Sequence, residues 1–322
     1  MMKQVAAGCA VLLAFTAGPS FAQEFPAKPV RLVVSYPPGG STDTVGRIVA
    51  QKLGEGLGTT VVVENRAGAG GTIGADAVAK AVPDGYSLLV LAGAHALAPN
   101  LYVKLPYDIV RDFAPVGLSA KSSYFLVTHP SVPARTVKEL IALARSRPGS
   151  LNYASTGIGT AQHLSGEMFN TLAQVRTVHV VYKGDAPALT DLIGGHVEMA
   201  FLPISVTAPL IRSGKLRGLG VTSSVRTPLM PELPTVAEAG GLKDFDITTW
   251  WGVVAPAGTP AAVVARLAKA NTPIAAMADV KSRFGDMGIE PAASSPAEFA
   301  AFIRSEVARF SQLAKLAGVK PE

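Results

Sequence analysis

The chain has 322 residues, of which 48% are hydrophobic and 16% are charged. This apolar content excludes an intrinsically disordered protein, and 32 glycines with 24 prolines are too few and too irregularly spaced for a collagen-like chain. The formal net charge is +6, but lysines and arginines are scattered, so the charge does not indicate a nucleic-acid partner. We therefore expect a globular protein, and the length favours two globular units.

The N-terminus has the pattern of a secretory signal peptide. Lys3 precedes an apolar run over residues 5–18, and small residues at the −3 and −1 positions fit cleavage after Ala22. The run is shorter than the roughly 20 residues of a membrane span. We predict a signal peptide at residues 1–22 and a periplasmic mature protein without a cysteine. One alternative is a buried first helix, although no polar face interrupts the apolar run. The other is lipidation at Cys9, although too few residues separate Lys3 from Cys9 for the apolar part of a signal peptide.

Short β-branched runs alternate with Gly-rich or Ser/Thr-rich turns and with helical stretches, a pattern typical of an α/β protein with parallel sheets covered by helices. Strands are predicted, in chain order, at residues 30–34, 60–64, 87–91, 124–127, 151–155, 178–182, 199–201, 216–221 and 248–255. Capping boxes predict helix starts after Thr136 and Ser295. The last helix carries an apolar stripe formed by Phe299, Ile303, Phe310 and Leu313.

The last helix gives a prediction for the domain organisation, because its apolar stripe must pack against an element that precedes it in the chain. We expect it to fold back onto the first unit, so that the chain crosses twice between two domains. The predicted boundaries are residues 24–122 with 249–322 for a discontinuous first domain, and residues 123–248 for an inserted second domain. Trp250 and Trp251, at the second crossing, are expected in hinge and core packing. A ligand cleft is expected between the domains.

The sequence lacks the motifs of the common enzyme classes. It has no Gly-x-Ser-x-Gly nucleophile turn, no Gly-x-x-x-x-Gly-Lys phosphate loop and no His-Glu-x-x-His metal motif. Two Gly-rich turns approach a dinucleotide fingerprint, but Ile73 and Gln162 stand where the third glycine belongs. No metal, cofactor or catalytic residue is therefore expected.

Three strand-to-helix turns, at residues 39–43, 155–160 and 183–185, have the composition of anion-binding turns. Glycines expose backbone N–H groups, hydroxyls add donors, and a helix N-terminus favours a carboxylate or phosphate. The predicted ligand-binding residues are Tyr36, Gly39, Gly40, Ser41, Thr42, Asp43, Ser155, Thr156, Gly157, Gly159, Thr160, His163, Lys183, Gly184 and Asp185.

Each of these residues also has a structural alternative, because glycine, serine and threonine close tight turns and cap helices. Asp43 is either a ligand contact or a helix cap, and His163 is either a donor to a carboxylate or a packed histidine. Asp185 fits a helix N-cap, while contact with a bound water or a ligand amine is its other interpretation.

Short motifs spread over nearly the whole mature chain connect it with a known family. They are YPPGG at residues 36–40 with Asp43 and Arg47, VENR at 63–66, PDGY at 83–86, YAS at 153–155, GT at 159–160, HL at 163–164, YKG at 182–184, PAL at 187–189, GKLR at 214–217, LPT at 233–235 and APAGTP at 255–260. In order and spacing they resemble the periplasmic solute receptors of tripartite tricarboxylate transporters, the Bug-type binding proteins.

The resemblance implies a two-domain Venus-flytrap fold of the type II periplasmic binding protein class. It also implies that carboxylates are held by backbone amides, hydroxyls and ordered water, with few charged side chains. The chain departs from the family at Val181, where relatives often have proline, and at residues 201–205, where relatives are more polar. If the latter segment lines the cleft, the far end of the ligand is expected to be apolar.

The function predicted from these features is that of a non-catalytic, monomeric periplasmic receptor. It would capture a small organic acid and deliver it to the membrane subunits of a tripartite tricarboxylate-type transporter. Two alternatives remain open at this stage: a secreted hydrolase that uses the cleft, and a ligand sensor for a signalling partner.

Overall fold

A computed structural model describes residues 25–158, 160–316, 318–319 and 321. The predicted signal peptide, its cleavage site and Gly159 lie outside the described residues. None of the helices in the described ranges is both long and apolar enough to cross a membrane.

Strands and helices alternate along the chain, as the sequence pattern predicts. The strands are β1 (Val30–Val34), β2 (Val61–Asn65), β3 (Ser87–Ala92), β4 (Phe113–Thr128), β5 (Asn152–Ser155), β6 (Val178–Val181), β7 (Met199–Pro203), β8 (Arg217–Val221), β9 (Thr248–Pro256) and β10 (Glu290–Pro291). The α-helices are α1 (Ser41–Leu57), α2 (Thr72–Ala79), α3 (Gly93–Leu97), α4 (Val137–Ser146), α5 (Ala161–Ala173), α6 (Asp185–Ile193), α7 (Ile204–Arg212), α8 (Val236–Gly240), α9 (Ala261–Asn271), α10 (Ala278–Gly285) and α11 (Pro296–Leu316).

The strands form a mixed sheet in the order β2-β1-β3-β9-β4-β7-β5-β6, with β8 and β10 also paired to β4. The outer strands are parallel, since β1 pairs in parallel with β2 and β3, and β5 with β6 and β7. The central strands β9 and β4 are antiparallel to each other and to their flanking neighbours β3 and β7. The prediction of parallel sheets is therefore correct for the two outer parts and wrong for the centre.

β4 starts earlier than the sequence pattern predicts. The predicted strand at residues 124–127 is only the last part of β4, whose earlier residues 113–123 pair with β9. The final residues, 124–128, pair with β7 and β8. The register with β9 shifts between Pro115 and Gly117, as expected where proline has no N–H to donate to the ladder. β4 is thus shared between the two ends of the sheet.

Apolar side chains cover both faces of the sheet. Val30, Leu32 and Val34 of β1 are fully buried in a cluster that includes residues of α1, whereas Val33 between them faces a second cluster with residues of α2. Alternate strand residues point to opposite faces, so helices on each side are needed to bury them. The expected three-layer α/β arrangement is confirmed.

The last helix, α11, buries its predicted apolar stripe. The stripe residues Phe299, Ile303, Phe310 and Leu313 are all buried. The helix packs against β4 and α3, as expected for a helix that folds back, and it also reaches α5. Trp250 is completely buried, and its indole N–H donates to the Glu306 carboxylate of α11 at 2.8 Å. Trp250 therefore has the core-packing role that the sequence predicts.

Candidate ligand-binding site

Several helices begin where strands of the sheet end, and four of them matter for the site. β1 leads into α1, β5 into α5, β6 into α6 and β7 into α7. Since β7, β5 and β6 are parallel neighbours, the helices that follow them begin side by side. The first N–H groups of a helix have no partner within the helix and carry partial positive charge.

Two adjoining cavities bring these helix N-termini together. One has a volume of about 180 Å³ and is lined by Gly93, Ala94, Leu97, Tyr124, Thr160, Ala161, Thr248, Thr249 and Phe310. The other has a volume of about 170 Å³ and is lined by Ser41, Ser122, Tyr124, Gln162, Asp185, Pro203, Ser205, Thr249, Trp251, Met287 and Ile289. Tyr124 and Thr249 line both, so the cavities meet at these side chains. We call the two together the paired cavity.

The paired cavity has polar and apolar walls but almost no ionisable groups. Among the described residues that line it, none is a lysine, arginine or histidine, and Asp185 is the one carboxylic acid. Burial and the negative charge of Asp185 raise the pKa of Tyr124 well above its usual value, against an opposing hydrogen bond with Thr249. The phenol therefore stays protonated and offers a neutral O–H donor.

The first predicted turn is held rigid by the Asp43 carboxylate. This buried side chain accepts hydrogen bonds from the backbone N–H of Gly39 at 3.0 Å, from Arg47 Nε at 2.9 Å and from Asn65 Nδ2 at 2.8 Å. Burial alone would raise the pKa of Asp43, but the hydrogen bonds from Arg47, Gly39 and Asn65 and the charge of Arg47 outweigh it and lower the pKa. These contacts give Asp43 a structural role, and Gly40 is the N-cap of α1.

Other residues of this turn face different neighbours. The Thr42 hydroxyl accepts a hydrogen bond from the Trp251 indole at 2.9 Å, which ties α1 to β9. The Tyr36 hydroxyl donates to the Gly70 carbonyl at 3.1 Å and thus binds to the Gly-rich turn between β2 and α2. Gly39 and Gly40 are exposed beside them. From the predicted early turn, Ser41 lines the paired cavity.

The second predicted turn uses its hydroxyls internally. Ser155 is fully buried, accepts from the Gly157 N–H at 3.2 Å and lies 2.5 Å from His179 Nε2. Thr160 caps α5, since its hydroxyl donates to the Gly157 carbonyl at 2.8 Å and accepts from the His163 N–H at 3.3 Å. Both hydroxyls therefore shape the turn, although Thr160 also lines the paired cavity.

His163 belongs to a stack of rings beneath this turn. Its imidazole stacks on His179 at a centroid distance of 4.2 Å, and His179 stacks on Tyr153 at 4.9 Å. Burial lowers the pKa of both histidines, to about 4 for His179, where the neighbouring His163 adds to the effect. At neutral pH, both rings are therefore mainly uncharged and add little positive charge near the site.

The third predicted turn contributes one side chain to the paired cavity. Lys183 is exposed, and Gly184, with φ of 115°, is the N-cap of α6. The expectation that Asp185 is the N-cap is wrong, because Asp185 is the first residue inside the helix. Its Oδ1 accepts a hydrogen bond from Gln162 Nε2 at 3.2 Å, and this bond joins the starts of α6 and α5.

The structure thus brings three of the predicted residues, Ser41, Thr160 and Asp185, to the paired cavity. Thr156 and Gly157 are half-buried in the second turn, where Gly157 bonds to Ser155 and Thr160. Ser205 lies in the segment, residues 201–205, that the sequence analysis considered for the cleft, whereas sequence reasoning missed the lining side chains of Ser122, Tyr124, Gln162, Thr249 and Trp251. Gln162 alone had a local signal, its place as the second residue of a helix that follows a Gly-rich turn.

A larger cavity, of about 560 Å³, is lined by residues from 99 to 111 and by Val307. Its acidic residue, Asp108, is already paired with Arg111 at 2.9 Å. No strand-to-helix turn contributes to this cavity. We therefore place the candidate site in the paired cavity. Within the described ranges, no cluster of three or more His, Cys, Asp and Glu side chains could hold a metal ion.

Comparisons with known proteins show the family of this chain. A family model described as "Tripartite tricarboxylate transporter family receptor" matches residues 45–319. Protein BugT of Bordetella pertussis is 35% identical over 315 residues, which cover 97% of this chain and 96% of BugT.

Two solved structures with bound acids are similar to this chain. The structure described as "R. palustris Rpa4515 with adipate" has a TM-score of 0.77 at 35% identity, and the match covers 93% of this chain and 100% of the Rpa4515 chain. MatC from Rhodopseudomonas palustris with bound malate has a TM-score of 0.71 at 34% identity, and the match covers 90% of this chain and 99% of the MatC chain.

The Asp43 contacts predict an acid-dependent loss of stability. Because the folded pKa of Asp43 is lowered, its contribution is complete above its unfolded pKa of about 4 and is lost as the pH falls through the folded pKa. We expect Asp43→Asn to be less stable than wild type at pH 7 by about 1.5–3 kcal/mol. The difference should shrink below pH 4, as measured by urea unfolding. Asp286→Asn, at an exposed position outside the turn, is the control. If the difference in unfolding free energy between wild type and Asp43→Asn stays constant from pH 7 to pH 3, the structural role of the Asp43 charge is contradicted.

Proposed function

Because the chain belongs to the receptor family of tripartite tricarboxylate transporters, we propose that it captures a small organic acid and delivers it to the membrane subunits of such a transporter. Receptors of this family are periplasmic and work with tripartite transporters. We propose further that residues 1–22 are an export signal cleaved after Ala22 and that the mature receptor is a non-catalytic monomer.

The observation that carries the proposal is the convergence of helix N-termini on a cavity without basic side chains. Ser41 begins α1, Thr160 precedes α5, Asp185 begins α6 and Ser205 lies in the first turn of α7. All four line the paired cavity. Backbone N–H groups at helix starts bind carboxylates without a charged side chain, which supports recognition of an organic acid by neutral donors.

The shape of the paired cavity suits a short ligand with two different ends. Pro203, Met287 and Ile289 add apolar wall beside the polar groups of Ser122 and Gln162. Pro203 belongs to the segment, residues 201–205, for which the sequence suggests an apolar contact. The solved relatives bind adipate and malate, which are acids of four to six carbons. We propose that an acid of about this length occupies the paired cavity.

We propose that residues 24–122 with 249–322 and residues 123–248 move as two units. The pairing pattern supports this division, because the two chain crossings lie side by side where Ser122 pairs with Thr249 and Ser123 with Thr248. A hinge at these paired residues would open and close the paired cavity.

Ligand binding is therefore expected to make the receptor more compact. Small-angle scattering should show a smaller radius of gyration when a bound acid holds the two units together. An unchanged scattering profile at saturating ligand would contradict the hinge.

A thermal-shift screen tests the substrate class. Mono-, di- and tricarboxylates, hydroxy acids, amino acids and aromatic acids should include at least one that raises the unfolding midpoint. A ligand at 100 times its dissociation constant stabilises a protein by about 2.7 kcal/mol. If no acid shifts the midpoint, the proposed function is wrong. Turnover of carboxylate esters or amides, abolished by a substitution in the paired cavity, would favour the hydrolase alternative.

The role of backbone N–H groups can be tested at the first residue of α1. Proline is well tolerated at this helix position, and Gly40 before it is extended (φ −78°, ψ 169°), as a residue before proline must be. Ser41→Pro removes one N–H from the cavity and should weaken binding ten- to a hundredfold, since a hydrogen bond to a charged group contributes about 1.5–3 kcal/mol.

Ser41→Val is the matched control for this variant. Valine has a side chain of similar size and also lacks the hydroxyl, but it keeps the backbone N–H. Calorimetry should find Ser41→Val close to wild type in affinity. If both variants lose affinity equally, the contact depends on the side chain, and α1 does not bind the anion through its backbone.

A further inference from the structure

Asp185 lies in a place where a receptor for simple carboxylates would not be expected to have a negative charge. It lines the paired cavity together with Ser41, whose backbone N–H we assign to the anion. Gln162 Nε2 donates to Asp185 Oδ1 at 3.2 Å, and within the described residues no basic side chain forms an ion pair with this carboxylate. Burial raises the pKa of Asp185, opposed by the Gln162 hydrogen bond.

Several groups that line the cavity together with Asp185 favour a cation over an anion. Tyr124 and Trp251 are aromatic lining residues, and aromatic rings attract cations. The hydroxyls of Ser122 and Ser205 line the same cavity and can accept hydrogen bonds. A second carboxylate of a ligand would instead meet Asp185 as a like charge in a partly desolvated site, which opposes binding.

We propose that the ligand is an organic acid that also carries a positively charged nitrogen, with its ammonium group against Asp185 at the start of α6 and its carboxylate at the N-termini of the other helices that line the paired cavity. The inference rests on the proposed function and specifies its substrate class. Asp185 would then act as the specificity-determining residue: it attracts the ammonium group and repels the diacid of the same length.

Two pairs of probes test this directly by calorimetry at pH 7.5. Glutamate and glutarate have the same carbon chain, and only glutamate carries an ammonium group next to one carboxylate. In the second pair, 6-aminohexanoate has an ammonium group where adipate has its second carboxylate. We expect wild type to bind the ammonium-bearing member at least tenfold more tightly in one of the two pairs. Tighter binding of the diacid in both pairs would overturn the inference while leaving the receptor function intact, and no binding of any acid would overturn both.

Asp185→Asn removes the charge but keeps an oxygen that can accept from Gln162. We expect this variant to lose at least tenfold in affinity for the ammonium-bearing acid and to gain affinity for the matching diacid. Asp286→Asn, an exposed carboxylate on the chain segment after α10 that does not line the paired cavity, controls for the change in net charge. If Asp185→Asn changes only the thermal stability and binds the two members of each pair with the wild-type preference, Asp185 only stabilises the start of α6 and the inference is wrong.

Discussion

The antiparallel pairing of β4 with β9 is the interaction on which the rest of the structure depends. These strands hold the two parallel parts of the sheet together, and both chain crossings of the proposed domain division lie in them. Tyr124 and Ser122 of β4 and Thr249 and Trp251 of β9 line the paired cavity. The same ladder that joins the two parts therefore provides one wall of the candidate site, and a movement of one part relative to the other must change the cavity.

The parallel parts of the sheet determine the electrostatics of that site. A helix that follows a parallel strand begins at the carboxyl edge of the sheet, so α5, α6 and α7 direct their N-termini to one edge and α1 adds its own. The hydroxyls of Ser155 and Thr160 are satisfied within their turn, as the contacts with Gly157 show. Ligand binding at the helix N-termini, as we propose it, therefore needs no rearrangement of these hydroxyls.

The sequence alone predicts those strands and helices whose residues share one local pattern. The β-branched runs of β1 and β2 and the capping box at Ser295 are local signals, and the structure confirms them. The first part of β4 was missed because Pro115 and Gly117 are unfavourable in strands and register shifts occur there. Side chains such as Tyr124 and Thr249 reach the site through pairing between segments more than 120 residues apart, for which no local pattern exists.

Two aspartates at helix starts show why position alone does not reveal a role. Both Asp43 and Asp185 lie in the first turn of a helix, where a carboxylate is favoured by the helix dipole. Asp43 is surrounded by Arg47, Asn65 and a backbone N–H, so its pKa is lowered and its charge is balanced inside the protein. Among the described residues, the neutral amide of Gln162 is the hydrogen-bond partner of the Asp185 side chain, and burial raises the pKa of Asp185. The two carboxylates share a place in the first turn of a helix but have different electrostatic environments, and Asp185 is the one that we propose selects between ligands.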